Sequence, residues 1–443
     1  GAERWDAYMG ACGAFLDLGL PAFIENRFDG ECARAFLPFV AAALGPGAVS
    51  GTGVATSWPL RPHGDALAEA FSGNKMRALA SFQDLYVGLS PHGNKDKIAG
   101  GVLRKTAPAV FGLLAALELH PTNRRSGVHA PIGGFKAVAD AFRRLAEDVG
   151  VDVRCGHTVT KVTETGVHYV TDSGERHFLP SDLTIVNTDL PYAKKSLLGE
   201  DIDADAADPE ERYDWDDRYD FSSGVLAFHW SLDVVAEALE THNVFLIADD
   251  EESMVRSWGV LQDVGISAGH GNGGVEPFNF YVHRPAASDP TAAPEGGDSL
   301  MILVPCRTLR RDGDLANVAR TEAIGKYGDQ HPAEEVDRTR EAVLRRLAAL
   351  GGLEDLRRHI VREDVTAPAD YADAYNLGAG AAFGLSHGLG QLSLTRPGAR
   401  HGGMKNVMFV GASSRPGNGV PLVLIGAKNV AKEAVRVLEE KGL

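Results

Sequence analysis

The strongest constraint on this chain lies near its end. The apolar run Asn406-Val407-Met408-Phe409-Val410 leads into the turn Gly411-Ala412-Ser413-Ser414-Arg415-Pro416-Gly417-Asn418-Gly419, and a helical stretch begins at about Val420. A short apolar run without alternation reads as a strand buried on both faces, which needs neighbours in a sheet and helices above it. The helix that follows starts with free backbone N–H groups and the positive end of its dipole. Gly411, Gly417 and Gly419 let a flat or anionic group approach the backbone without a Cβ in the way. A phosphate or an electron-rich ring carbonyl suits that place; a plain structural turn is the other reading.

A second legible unit lies mid-chain. Ala130-Pro131-Ile132-Gly133-Gly134 precedes a helical pattern in which Phe135, Val138, Phe142, Leu145 and Val149 share a face, with Gly150 as the stop. Taken alone, the Gly133-Gly134 pair is a turn and N-cap. Strands are expected at 151–154 and 158–162, a hairpin over 167–178 around Asp172-Ser173-Gly174, and a buried strand at 183–187. Helix, strand, hairpin and strand together are the grammar of an α/β nucleotide-binding domain.

At 443 residues the chain exceeds what one core of roughly 250–300 residues fills, so two or three lobes are expected. Residues 1–125 read as a helical lobe, with apolar stretches at 15–24 and 32–44 broken by Gly45-Pro46-Gly47. In 106–119, Val110, Leu113, Leu114 and Leu117 fall on one helical face, which suits a core helix or a lipid-facing surface. Sheet segments at 224–230 and 299–304 and an amphipathic helix over 333–358 are separated by acidic or Pro- and Gly-rich loops.

The net charge of -16 excludes a general affinity for nucleic acid or anionic lipid, leaving only local basic patches. Cys12, Cys32, Cys155 and Cys306 are scattered, without the spacing of a zinc site or a disulfide framework. No unbroken apolar run reaches the roughly eighteen residues of a membrane span, and no secretory signal core is evident, so a soluble or monotopic protein is expected.

Several stretches together carry a family resemblance: SFQDLYVGLSP (81–91), PAVFGLLAALEL (108–119), PIGGFKAVADAFRRLAEDVGVDVR (131–154), DLTIVNTDLPY (182–192), AFHWSLD (227–233), HNVFLIADD (242–250), FYVHRPAASDPTAAPEGGDSLMILVP (280–305), AAFGLSHGLGQL (381–392) and NVMFVGASSRPGNGVPLVLIGAK (406–428). In this order they resemble the bacterial and fungal type of phytoene desaturase and its relatives. The resemblance implies an α/β fold of the FAD-dependent amine-oxidase and phytoene-desaturase type. Its FAD domain would comprise 126–196 and 396–443, with a substrate domain of sheet and helices at 197–395. It further implies FAD as cofactor, an apolar polyene or isoprenoid substrate, and peripheral contact with a membrane, on a plastid membrane or a cytoplasmic membrane face.

On that resemblance Gly133 and Gly134 open a flavin-domain helix, Val159 meets the adenine end and Asn187 closes the strand beneath the cofactor. Gly411 and Ala412 line the pyrophosphate or ribityl region, while Gly419, Val420 and Pro421 face the isoalloxazine ring and Gly417 is a further cofactor-binding glycine of the turn. Two departures stand out. The family opens with a Gly-rich βαβ fingerprint that is missing from 1–27, which reads as a truncated N-terminus and predicts poor FAD binding. Relatives also carry Thr-His-Pro-Gly where this chain has Ser414-Arg415-Pro416-Gly417.

Arg415 is therefore a candidate fixed charge near reduced flavin, and His387 a candidate proton relay, with a hydrogen-bonded structural histidine as the alternative. Asp84 reads as a surface or capping carboxylate rather than a tunnel residue. Desaturation by hydride transfer to FAD is the leading expectation. A carotenoid isomerase or other polyene oxidoreductase, a flavin amine oxidase and a non-catalytic escort of prenylated GTPases are the alternatives.

Overall fold

The computed structural model describes residues 2–25, 30–44, 61–91, 106–114, 129–199, 219–247, 279–309, 330–331, 333–392 and 395–443. The helical lobe is built from α1 (Ala2–Leu20), which continues as a π-turn over Pro21–Glu25, α2 (Gly30–Leu44), α3 (His63–Ala70) and α4 (Asn74–Ala80). Tyr8, Met9, Cys12 and Phe15 of α1 meet Phe39, Leu67, Phe71, Val110 and Leu113 in one core. The Ala2–Glu25 stretch has the length and hydropathy of a membrane span, but these buried side chains make it the central helix of a packed lobe.

The expected helical face over 106–119 takes another form. Thr106 and Pro108 make strand-like bridges, Ala109–Phe111 is a 3-10 turn, and Val110 and Leu113 are buried. Pro108 lacks the N–H that a continuous helix would need, and the buried side chains cannot form a lipid-facing surface. The docking face expected there is thereby corrected; Leu117 lies outside the described residues.

Five antiparallel strands lie in the stretch expected to form the substrate domain and make one sheet, called the substrate sheet after that expectation, in the order β6 (Asn243–Leu246), β7 (Phe280–His283), β8 (Asp298–Cys306), β5 (Gly224–Leu232), β9 (Ile360–Thr366). Along β8 every second residue is buried, the period-two pattern of a sheet with one covered face. The cover is α6 (Ala333–Ala348), whose Val343, Leu344 and Leu347 pack on Leu226, Phe228, Trp230, Ile302 and Val304. Trp230 is fully buried and its indole N–H donates to Glu363 at 2.7 Å, so the one polar atom of its ring is satisfied.

A second layer is assembled from both sides of that sheet in sequence. β4 (Thr184–Val186) pairs in parallel with β10 (Val407–Phe409), in register from Thr184–Val407 to Val186–Phe409. Met408 faces Val430, Ala434 and Val437 of the long C-terminal helix α8 (Val420–Glu440). Val407 and Phe409 face the other way, toward Val186, Val162 and Leu385, beneath the three-stranded sheet β1 (His157–Thr163), β2 (Gly166–Thr171), β3 (Arg176–Pro180).

Helix α5 (Gly134–Asp148) forms as its pattern predicts, with both Gly133 (φ 81°) and Gly134 (φ 71°) in the left-handed region that favours glycine. Yet it buries no residue. Phe135, Phe142, Leu145, Val149, Val151 and Val153 are all exposed. The strand expected at 151–154 is not one, because an extended segment becomes a strand only beside a partner, and none of the described strands reaches it.

Candidate functional site

Beyond the C-terminal ends of β4 and β10 the chain leaves a crevice of about 420 Å³. Its lining includes Asn187, Asp189, Tyr371, Tyr375, Gly411, Ala412 and Ser413. Ligands in open α/β sheets bind at this end, because the loops leaving parallel strands splay apart there. Tyr371 belongs to α7 (Pro368–Tyr375), and its burial pushes the phenol up to about 12.

Among the described residues no protein acceptor meets the N–H of Gly411, Ala412 or Ser413. Three successive N–H groups without a protein acceptor, on residues that line one crevice, are suited to an anion or a carbonyl oxygen. Gly411 has φ 121°, and a Cβ there would stand 3.1 Å from Asn187 Oδ1, so glycine lets the two walls stand this close.

Asp189 fixes this wall from behind. It accepts the hydroxyl of Ser413 and, at 3.0 Å, the N–H of Gly378. Burial raises its pKa, an effect opposed by those hydrogen bonds and by the charge of Arg396. Arg396 is fully buried and donates to the carbonyls of Leu385, Ser386, Gln391, Ala412 and Ser414. Sequence reasoning missed both residues. Asp189 before Leu190-Pro191 reads as an ordinary helix cap, and an arginine bound only to main-chain carbonyls has no side-chain pattern to betray it.

Next to the crevice, His387 is buried and accepts the N–H of Asn418 through Nε2 at 3.3 Å. Burial, then the charge of Arg396, pushes its pKa well below the usual imidazole range, so the ring is neutral. A neutral ring that accepts at Nε2 carries its proton on Nδ1, a tautomer assigned from that hydrogen bond. Among the described residues Nδ1 has no protein partner, and the ring meets the edge of Phe111 from the helical lobe.

Of the residues expected at the site, Asn187, Gly411 and Ala412 line the crevice together. Val159 packs half-buried against the cluster of Val186 and Leu190. Gly417 and His387 are in direct contact one turn away. Gly419, Val420 and Pro421 form the exposed start of α8, outside the crevice lining. Arg415 donates from Nε to the carbonyl of Arg396 and lies beside Gly398, so its guanidinium turns toward 396–398 rather than into the crevice. Gly133 and Gly134 stand apart from the lining as well; the Gly133 N–H donates to Asp289 at 2.6 Å.

Asp84 departs from its expected place at the surface. It is fully buried in the helical lobe, paired with His63 at 2.8 Å, and His63 in turn meets the Tyr8 hydroxyl at 3.0 Å. A buried carboxylate of this kind persists only with such a partner.

No family model matches the chain. The phytoene desaturase of Neurospora crassa is 32% identical over 383 residues, covering 84% of this chain and 55% of that protein. For the zeta-carotene-forming phytoene desaturase of Myxococcus xanthus the figures are 30% over 379 residues, 84% and 62%. That of Fusarium fujikuroi is 29% identical over 385 residues, covering 85% and 60%. The chain therefore spans little more than half to three fifths of the length of these relatives. A solved oxidoreductase from Methanosarcina mazei superposes with a TM-score of 0.49 at 16% identity, covering 91% of this chain and 72% of that one. By sequence, across more than four fifths of its length, the chain is similar to phytoene desaturases.

Proposed function

We propose that this chain is the larger part of an FAD-dependent desaturase that removes hydrogen from a long apolar carotenoid precursor. The observation that carries the reading is kinship with desaturases along most of the chain, combined with a crevice whose donors suit a dinucleotide. The N–H groups of Gly411, Ala412 and Ser413 fit the anionic diphosphate or ribityl part of FAD, and Asn187 stands on the opposite wall. Bound there, the flavin supplies the hydride acceptor, and the protein supplies orientation and a dry surround.

Each nearby side chain has a stated part. His387, neutral and protonated on Nδ1, accepts the Asn418 N–H through Nε2, which occupies its basic nitrogen and holds the turn at Gly417 and Asn418. Val87, Leu89, Ala107 and Phe111 form the apolar wall beside it, which keeps water from the reacting chain. Arg415 supports the turn through the Arg396 carbonyl.

In this reading the fold is of the flavin amine-oxidase type, and the bare face of α5 with 149–153 is the seat of a further βαβ dinucleotide unit. Phe135, Phe142, Leu145 and Val149, four apolar positions at helical spacing that the described residues leave in water, need such a cover. The substrate is too insoluble to travel free, so contact with a membrane belongs to the reading; Leu37 and Leu79 are exposed apolar side chains of the helical lobe suited to it.

The test is to incubate the protein, together with the βαβ unit, with FAD and phytoene. A flavin absorption spectrum and red-shifted polyene products are expected. Unchanged phytoene with hydrogen peroxide released from amines would reject the desaturase reading in favour of an amine oxidase.

A further inference from the structure

A fully buried arginine ordinarily faces a carboxylate; Arg396 faces five main-chain oxygens. Nε donates to Ser414 at 3.2 Å, Nη1 to Ser386 at 2.8 Å and Gln391 at 3.1 Å, and Nη2 to Leu385 at 3.1 Å and Ala412 at 2.6 Å. The guanidinium has five N–H donors, and all five are used. Among the described residues no carboxylate oxygen lies within ion-pair distance of it.

The acceptors belong to two separate stretches. Leu385, Ser386 and Gln391 flank His387, while Ala412 and Ser414 belong to the turn after β10, so one planar group clamps both. In a trans peptide the N–H points opposite to the C=O. Drawing the Ala412 carbonyl to Arg396 therefore turns the Ser413 N–H away from it, and drawing in the Ser386 carbonyl does the same for the His387 N–H. The orientation of the Ser413 N–H in the crevice wall follows from where the arginine sits.

We propose that Arg396 is the positioning residue of the crevice, locking the 385–391 segment to the 412–414 turn so that the Ser413 N–H is held toward the cofactor. The proposal rests on the flavin reading of that crevice and adds to it the group that sets its geometry. Lysine cannot replace it: an ammonium has three donors, no fork and a different reach. Asp189 complements the clamp by holding Ser413 and Gly378 from the other side. His387 reports on the arrangement, since its ring is faced by Asn418 from the turn and Phe111 from the helical lobe. Among the described residues Arg396 is the one charged group that acts on it.

The experiment compares Arg396→Lys and Arg396→Gln with Leu347→Ala, a substitution in the distant substrate-sheet core that lowers stability without touching the crevice. Nitrogen-15 NMR of the His387 ring against pH is the first readout. In the wild type and Leu347→Ala the ring should stay neutral with its proton on Nδ1. In both Arg396 variants the bond to Asn418 loosens, and the ring titrates closer to the ordinary histidine range. In the flavin-loaded protein both Arg396 variants should weaken flavin binding by roughly tenfold or more, with Leu347→Ala unchanged.

A His387 ring and a flavin affinity alike in all four proteins would overturn the proposal. Should the Arg396 variants fail to fold, the wild-type guanidinium remains decisive. Slowly exchanging N–H protons with distinct Nη signals are expected, and a freely rotating, fast-exchanging group would overturn the proposal. A protein that meets the NMR expectations but never takes up flavin would sink the flavin reading and leave the clamp intact.

Discussion

A Cβ placed on Gly417 would stand 2.2 Å from Nε2 of His387, closer than any real side chain can approach. The same residue has φ 143°, where a side chain is strained whatever the space. Gly417→Ala should therefore push the imidazole off the Asn418 N–H, at a cost of about 1–3 kcal/mol from strain and displaced packing. Chemical denaturation and the NMR signature of the His387 ring measure it; an unchanged ring would show that the contact is slack.

The exposed stripe on α5 predicts a contrast. Replacing Phe142 and Leu145 by Asp removes apolar surface that the described residues leave in water, so the stability of this chain alone should change by no more than about 0.5 kcal/mol per site. If a βαβ unit seats on that face, the same pair should abolish its docking. A large loss of stability in the chain alone would mean that the face is already covered.

What the sequence disclosed, and what it withheld, follows from how local each cause is. The strand, turn and helix ending in α8 and the hairpin between β2 and β3 depend on neighbouring residues, and both were read correctly. The segment 151–154 has strand composition but lacks a partner, and pairing cannot be read from one segment. Asn187 and Gly411 were each placed at the cofactor through family likeness, and both line the crevice. Arg396 bonds to main-chain atoms up to 18 positions away, a relationship that leaves no mark in composition or spacing.

Acid should weaken the edge of the substrate sheet. His283 is pushed down to about 4 by burial and by His242, whose ring lies 4.3 Å away edge-on; the Tyr281 hydroxyl sits at 3.1 Å from its Nδ1. The unfolded chain takes up this proton near the ordinary value of about 6.5, and the folded chain only near 4, so between them the unfolded state binds more protons. The contribution is whole above pH 6.5 or so and is lost as pH falls toward 4. His283→Gln should flatten that part of the stability profile, measured by urea unfolding across the interval.

Leu347 is fully buried between α6 and the substrate sheet, and its removal leaves a cavity that rigid strands cannot close. Leu347→Ala should cost about 2–5 kcal/mol in unfolding free energy while leaving the His387 ring untouched. A smaller loss would indicate that α6 shifts to fill the space.

The carboxylate of Asp289 bears on how the two halves of the protein are joined. Its Oδ2 accepts the N–H of Gly133, and its Oδ1 accepts the N–H and hydroxyl of Thr291, at 3.0 and 2.7 Å. These hydrogen bonds, that to the Thr291 side chain foremost, hold its pKa below the ordinary carboxylate value. With α5 burying no residue, this link carries much of what orients the start of that helix toward the substrate sheet. Asp289→Ala should therefore speed hydrogen exchange across 131–148 while the amides of β5 and β8 keep their protection. The sign with pH is fixed as well: the folded carboxylate loses its proton more readily than the unfolded one, so the tether is whole above about pH 4 and is lost as pH falls through the lower, folded value. Asp289→Asn retains an acceptor without the charge and should exchange at an intermediate rate, insensitive to pH. Exchange at 131–148 as slow in Asp289→Ala as in the wild type would show that α5 is held by something other than this carboxylate.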